Sequence, residues 1–326
     1  MSAKHLFLSN SHFNINRAYT SAQIGGSPVR TYEELKETPL PDTEYIFSTW
    51  GMPEMTDAEI AYHFPKLKAI FYGAGTVQYF ARPFLARGVR ICSAWAANAI
   101  PVAEFAVAQI ILANKGYFQL HEKYRQSVDA AQAYGNGFKE GNYGGKVGLL
   151  GAGMIGRYVI GLLAPYNLKI YVFDPFLSDE KAAELGVMKA DLDTIFSTCR
   201  TISNHLANNA ETRGMLNYSH FSQMLPNATF INTGRGAQVV AADLLRAMAE
   251  MPDRTALLDV TDPEEPAPLD SEYWKHPNVF MTPHRAGSME GEIYRMGQYM
   301  FDEYARMCAG EALCYEVTLE MLATMA

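Results

Sequence analysis

From residue 146 onward the chain keeps one rhythm, and that rhythm restricts its fold more than any other feature. KVGLL (146–150), LKIYVFD (168–174), RTISNH (200–205), ATFINT (228–233), TALLDV (255–260) and NVFMTP (278–283) are six short apolar runs, and most intervals between them carry helical patterns. Continuously apolar runs of this length suit strands covered on both faces, as parallel strands with crossover helices are. The alternation predicts an α/β fold built on a Rossmann-type doubly wound parallel sheet.

The first hundred residues repeat the theme on a smaller scale. HLFLS (5–9), EYIFST (44–49), LKAIFY (67–72) and VRICSA (89–94) are strand candidates, with turn-rich IGGSP and ETPLPD and helix-like DAEIAYHF among them. A long helix is expected next, with Asn98 as its cap, Pro101 in its first turn and an apolar circumference that calls for burial. Its apolarity stops short of 18 consecutive apolar residues, so no spanning helix is expected. AYGNGFKEGNYGG (133–145), with five glycines, reads as a loop into the second domain. After Glu290, Ile293, Met296, Met300, Tyr304 and Met307 recur at helical spacing, which is the pattern of a docking helix. The chain is therefore expected to divide into a cofactor domain, 99–288, and a smaller substrate domain assembled from 1–98 plus 289–326.

Composition narrows the partners. The formal charge of −8 argues against nucleic acid or an anionic membrane as the main partner, since both need concentrated basic surface. Cys92, Cys199, Cys308 and Cys314 show no CxxC spacing and suit a reducing cytoplasm, while the histidines form no zinc-ligand cluster, so no metal is expected. The start, MSAKHLFLSN, lacks the cleavage pattern of a secretory signal.

Gly151-Ala152-Gly153-Met154-Ile155-Gly156 fits GxGxxG and sits directly between KVGLL and the helical stretch MIGRYVIGLLAPY. In that context the first glycine permits a tight turn, the second lets backbone approach a pyrophosphate, and the third allows close helix–strand packing. The helix start at Met154 and Ile155 then turns free N–H groups and a positive dipole end toward phosphate. Asp174, 23 residues after Gly151, ends the next strand, where a carboxylate accepts from ribose hydroxyls and repels a 2′-phosphate. NAD (NADH) is the predicted cofactor.

Open parallel sheets bind ligands beyond the carboxyl ends of their strands. Arg235, Glu264 and His284 follow three successive strand candidates, and their chemistries complement one another. Reduction of a 2-oxo acid needs a cation for the carboxylate and ketone, which a guanidinium supplies through its planar fork. It also needs a proton donor for the developing alkoxide, and imidazole titrates near neutrality. A carboxylate beside the imidazole orients the ring and favours the imidazolium.

With KAIFYGAG, NAIPVAE, VGLLGAGMIGR, AETRGML, INTGRGAQVV, LLDVTDPEEP and NVFMTPHRAG in this order, the chain resembles the D-isomer-specific 2-hydroxyacid dehydrogenase family from about residue 40 to 310. The resemblance implies that Arg235 binds substrate, His284 is the acid/base and Glu264 its partner. It implies nicotinamide contacts from Thr233, Gly234 and Asp259, backbone capture of the substrate carboxylate at Ala74 and Gly75, and a flavodoxin-like substrate domain. Two departures stand out: Val77 where the family commonly has an aspartate, and Val240-Ala241-Ala242 where an acidic residue is usual. The loop after LLDV looks one residue longer than usual. Counting forward from Asp259 selects Glu264, and counting back from His284 selects Glu265.

The expected activity is thus NAD-dependent interconversion of a small D-2-hydroxy acid and its 2-oxo acid. Glu264 at the partner position argues against the formate-dehydrogenase branch, whose members resemble a Gln–His pairing. The other class to weigh is an NADH-sensing, corepressor-like binding protein of the same superfamily; long flanking segments for recruiting partners are not evident. Trp50 and Met52 in STWGMP are candidate pocket walls favouring a modest apolar 2-oxo acid. The apolar helix from Asn98 points to a homodimer.

Overall fold

The structure, a computed structural model, describes residues 4–136, 141–263 and 265–323. The chain divides into two compact units, Met1–Asn98 with Ser288–Ala326 and Ala99–Gly287. Ser288, expected at the end of the cofactor domain, falls with the first unit. Its N–H donates to Asn98 Oδ1 at 2.9 Å, which ties the returning chain to the point where the first unit ends.

The first unit is built on parallel strands β1 (His5–Leu8), β2 (Val29–Arg30), β3 (Tyr45–Ser48), β4 (Ala69–Tyr72) and β5 (Arg90–Ser93). They lie in the order β5-β4-β3-β1-β2, the 2-1-3-4-5 order of flavodoxin-like sheets. Glu316–Val317 adds antiparallel to β5 at the edge. Neither two-residue strand was expected, because pairs this short carry no periodic signal. The strands are buried along most of their length, and their two faces feed separate clusters. Leu6, Leu8, Ile46, Ile70 and Ile91 belong to one, while Phe7, Phe47, Phe71 and Cys92 join Ile293, Met296 and Met300 in the other. The latter three project from the helix Gly291–Ala309, so the methionine stripe is core, as its spacing predicts.

The second unit carries seven parallel strands: β6 (Tyr143–Leu150), β7 (Asn167–Phe173), β8 (Met188–Lys189), β9 (Thr201–Asn204), β10 (Thr229–Asn232), β11 (Thr255–Leu258) and β12 (Val279–Met281). Their order, β12-β11-β10-β9-β6-β7-β8, reverses direction at β6, where the first crossover leaves one way and the return to β9 goes the other. This is the doubly wound topology, with a switch point beside the glycine loop. Six of the seven strands are those expected, and β8 is the added two-residue edge.

Two expectations about the connecting helices change. The helix expected from Asn98 runs Trp95–Asn114 and holds Pro101 inside it. It is long and apolar enough to cross a membrane by length and composition, and half of its apolar stretch is buried in the fold. Counting uninterrupted apolar residues missed it because Asn98, Glu104 and Gln109 interrupt the run while the helix stays apolar on average. Ala103, Ala106 and Ile110 from this helix pack into a core cluster with Val147, Leu149 and Val159. The loop expected over 133–145 is helical at its start, since the helix Val128–Gly135 continues into it.

Candidate active site

The site is assembled where β6, β7, β9, β10, β11 and β12 end. At β6, Gly151 adopts φ of 99°, and a Cβ there would lie 2.8 Å from the His205 carbonyl oxygen. A Cβ on Gly156 would meet the Gly151 carbonyl oxygen at 2.1 Å, so only glycine lets the helix Met154–Leu163 sit this close to its strand. Gly153 differs, with nothing within 4 Å of its ideal Cβ position. The helix start has no side-chain cap, so the first-turn N–H groups, Met154 and Ile155 included, face an open cradle. That is the space and polarity a dinucleotide pyrophosphate requires. Asp174 closes the far side: its Oδ2 accepts from the Ala152 N–H at 2.7 Å and its Oδ1 from the Phe176 N–H at 2.8 Å. Each oxygen keeps a second acceptor position for a ribose hydroxyl.

His284 is held by an unusual piece of backbone. It lies at φ of 53°, a left-handed conformation that costs a non-glycine residue about 1–3 kcal/mol unless its surroundings enforce it. The enforcement comes from Asp259, which is 1% exposed. The Asp259 carbonyl accepts from the His284 N–H at 2.9 Å. Its Oδ1 accepts from Thr282 Oγ1 at 2.6 Å and the Arg285 N–H at 2.7 Å, and its Oδ2 from the Ala286 N–H at 2.9 Å. The resemblance implies a nicotinamide contact for Asp259; three of its four acceptor positions hold the His284 turn, leaving one on Oδ2.

The imidazole Nδ1 hydrogen-bonds the Glu265 carboxylate. The carboxylate brought to His284 is therefore Glu265, which corrects the choice of Glu264; Glu264 lies outside the described residues. Adjacent carboxylates in a proline-flanked loop have no periodic pattern to show which one turns inward. A carboxylate at Nδ1 fixes the ring and leaves Nε2, which has no partner among the described residues, for a proton-transfer role.

Arg235 is half-buried just past β10, and its guanidinium donates to the Gly234 carbonyl oxygen at 2.8 Å. Burial pulls its pKa below the ordinary arginine value, and the negative charge of Glu265 opposes that shift. Glu265 thus acts on both side chains, bonding His284 and biasing Arg235. Thr233 and Gly234 are buried at the same strand end; a Cβ on Gly234 would lie 2.7 Å from Gln238 Oε1 and 3.0 Å from Asn204 Nδ2.

Sequence reading passed over His205, at the end of β9. It is buried, with Nε2 2.9 Å from Ser203 Oγ and Nδ1 3.4 Å from Thr233 Oγ1. Desolvation lowers its pKa to about 4, so the ring is neutral at physiological pH. Its place directly after the RTISN run was the available signal. Among the described residues no group of three or more His, Cys, Asp or Glu side chains is placed to hold a metal ion.

In the first unit, the loop after β4 is pinned from below. Ser93 Oγ donates to the Ala74 and Gly75 carbonyl oxygens at 2.9 and 2.5 Å, and Thr49 Oγ1 to that of Gly73 at 3.0 Å. The Ala74 N–H is spent on the Tyr72 carbonyl at 2.9 Å, so Gly75 is the better placed of the two to receive a carboxylate. Met52 is core, packed in the cluster of Ile46 and Ile70, which removes it as a pocket wall. Trp50 remains 39% exposed.

Residues 107–286 match the family described as D-isomer specific 2-hydroxyacid dehydrogenase, NAD binding domain. The chain is 33% identical over 206 residues to the YoaD protein of Bacillus subtilis (strain 168), covering 62% of this chain and 59% of that protein. It is 28% identical over 255 residues to a D-3-phosphoglycerate dehydrogenase of Archaeoglobus fulgidus, covering 78% of this chain and 48% of the relative. The chain thus spans about half the length of the curated relatives it matches. The fold is also that of a solved D-lactate dehydrogenase from Treponema pallidum, with a TM-score of 0.71, 21% identity, and 97% and 99% of the two chains covered.

Proposed function

The chain belongs to the D-isomer specific 2-hydroxyacid dehydrogenase family, with an NAD-binding second unit, and from that premise we propose that it interconverts a small D-2-hydroxy acid and its 2-oxo acid. One observation carries the reading: in that unit Glu265 bonds Nδ1 of a histidine held in an enforced left-handed turn and also biases Arg235. Bound nicotinamide supplies or accepts the hydride.

The rest falls to the chain's own residues. Arg235 grips the substrate carboxylate and polarises the ketone. His284 Nε2 gives a proton to the developing alkoxide in one direction and takes it from the hydroxyl in the other. Glu265 holds the Nδ1 proton and stabilises the imidazolium formed in oxidation. Asp174 favours NAD by leaving no room for a 2′-phosphate charge.

Trp50 is the candidate side-chain wall, favouring a modest apolar substrate. Leu112, Tyr117, Tyr124 and Val128, exposed on three successive helices of the second unit, support a homodimer, which light scattering checks. Four scattered cysteines without CxxC spacing fit a cytoplasmic setting.

NADH oxidation with a panel of 2-oxo acids tests the activity. Tight NADH binding without turnover would instead support an NADH sensor. His284→Ala is expected to lower kcat by about 10²–10⁴ while NADH binding holds; an unchanged rate removes His284 from the chemistry. Arg235→Lys is expected to raise KM for the oxo acid, since an ammonium cannot reproduce the fork.

A further inference from the structure

Three side-chain amides are buried at the strand ends beneath Arg235: Asn204 and Gln238 at 0% exposure and Asn232 at 1%. Buried amides persist only when their donors and acceptors are satisfied, and these satisfy one another. Asn204 Nδ2 donates to Asn232 Oδ1 at 3.0 Å and to Gln238 Oε1 at 2.7 Å. Gln238 Nε2 donates to the Leu206 and Ala207 carbonyl oxygens at 2.8 and 2.9 Å. The network then takes hold of Arg235 from both sides. Its N–H donates to Gln238 Oε1 at 3.1 Å, and its carbonyl accepts from Asn232 Nδ2 at 3.2 Å.

The orientation of Gln238 follows from chemistry alone. Two carbonyl oxygens on one side demand the NH₂ group, and two N–H donors on the other demand the oxygen. No other arrangement of this side chain satisfies all four partners. The amides also account for Gly234, whose Cβ would run into Gln238 and Asn204.

We propose that Gln238 is the positioning residue for Arg235: its carboxamide fixes the backbone from which the guanidinium projects and locks it to the loop that follows β9. The inference rests on the reading of Arg235 as the substrate-binding cation. Gln238 itself touches no substrate.

The decisive comparison is Gln238→Met in the parent and in an Arg235→Ala background. Methionine keeps the length and removes every hydrogen bond. In the parent it is expected to raise KM for the oxo acid about tenfold, the effect of one unsatisfied buried group. In the Arg235→Ala background it is expected to change kcat/KM less than about twofold, because two residues acting through one contact are not additive. Hydrogen exchange gives a readout independent of turnover, with faster exchange expected at Arg235 in Gln238→Met.

Asn278→Leu is the stability control. It removes a half-buried amide that donates to the Met248 and Arg254 carbonyls at 3.0 and 2.9 Å. That variant is expected to lower the unfolding midpoint without altering KM or exchange at Arg235. Equal penalties in both backgrounds, or unchanged exchange at Arg235, would overturn the proposal. If the parent turns over no 2-oxo acid, the functional reading fails, and exchange at Arg235 still decides whether Gln238 holds it. If Gln238→Met does not fold, Gln238→Glu replaces it. That variant keeps the acceptor for Arg235 but sets an oxygen against Leu206 and Ala207, so exchange is expected to quicken around 206–207 and not at 235; the reverse pattern refutes the assignment.

Discussion

Replacing Asp259 by asparagine separates the geometry of the His284 turn from the chemistry of the imidazole. The carboxylate takes two donors on Oδ1 and one on Oδ2. The less costly orientation of the asparagine keeps its oxygen at the Oδ1 position and turns the NH₂ toward the Ala286 N–H, donor against donor. The loss is one hydrogen bond to a charged acceptor, about 1.5–3 kcal/mol, with the remaining two weakened because the acceptor is neutral. The opposing strain of His284 at φ of 53° is of similar size, about 1–3 kcal/mol. The two therefore nearly balance in Asp259→Asn, and the turn should spend a substantial fraction of its time relaxed. Urea unfolding is expected to report a loss of about 2–4 kcal/mol, hydrogen exchange to quicken at Arg285 and Ala286, and kcat to fall with the fraction of correctly placed His284. His284→Gly in the same background should recover part of the lost stability, since glycine accepts this conformation without strain, while activity stays lost. An Asp259→Asn protein with parental stability, exchange and kcat would show that the carboxylate does not enforce the turn.

Three further outcomes follow from the same geometry. Glu265→Gln is expected to move the pH–rate profile and Glu264→Gln to leave it in place; a shift in neither discards the partner carboxylate. His205 titrates at about 4 in the fold against about 6.5 when unfolded, so the unfolded chain binds the extra proton between those values. Stability therefore falls as pH drops from about 6.5 to 4, by up to about 3 kcal/mol from this group, and His205→Gln should show a smaller loss in urea midpoint between pH 7 and 5. Gly153→Ala has open space for its methyl group and should keep its stability while weakening NADH binding measured by fluorescence, whereas Gly156→Ala meets the Gly151 carbonyl and should lower the unfolding midpoint by several degrees.

What was legible in the sequence was whatever repeats or is tied to chain order. Strand and helix periods are local, so six strands of the second unit and the four longer ones of the first could be placed from apolar runs, and the two-residue strands Val29–Arg30, Met188–Lys189 and Glu316–Val317 could not. In a parallel sheet every strand ends on the same side. Residues that follow strands therefore gather at one edge whatever their separation in the chain, and Arg235 and His284 could be assigned to one site before any coordinate was known. The glycine loop is legible for the same reason, because its three glycines answer to the close approach of one strand and its own helix.

Side-chain direction in non-repeating loops obeys no such rule. Glu264 and Glu265 are neighbours of identical chemistry, and only the path of the loop decides which meets His284 Nδ1. The family resemblance gives Asp259 a nicotinamide contact, yet its carboxylate accepts three hydrogen bonds from residues more than twenty positions away. Met52 sits beside Trp50 in the chain and on the other side of the surface in space. Gln238 carries no motif at all; its meaning lies in four partners from two strand ends. The sequence by itself determined the two sheets, the NAD cradle and the edge at which the chemistry gathers, because these follow from backbone periodicity and strand direction. Tertiary structure alone decided which carboxylate meets His284, which amide meets the Arg235 backbone and which buried acid holds the His284 turn, because hydrogen bonds are satisfied in space and not along the chain.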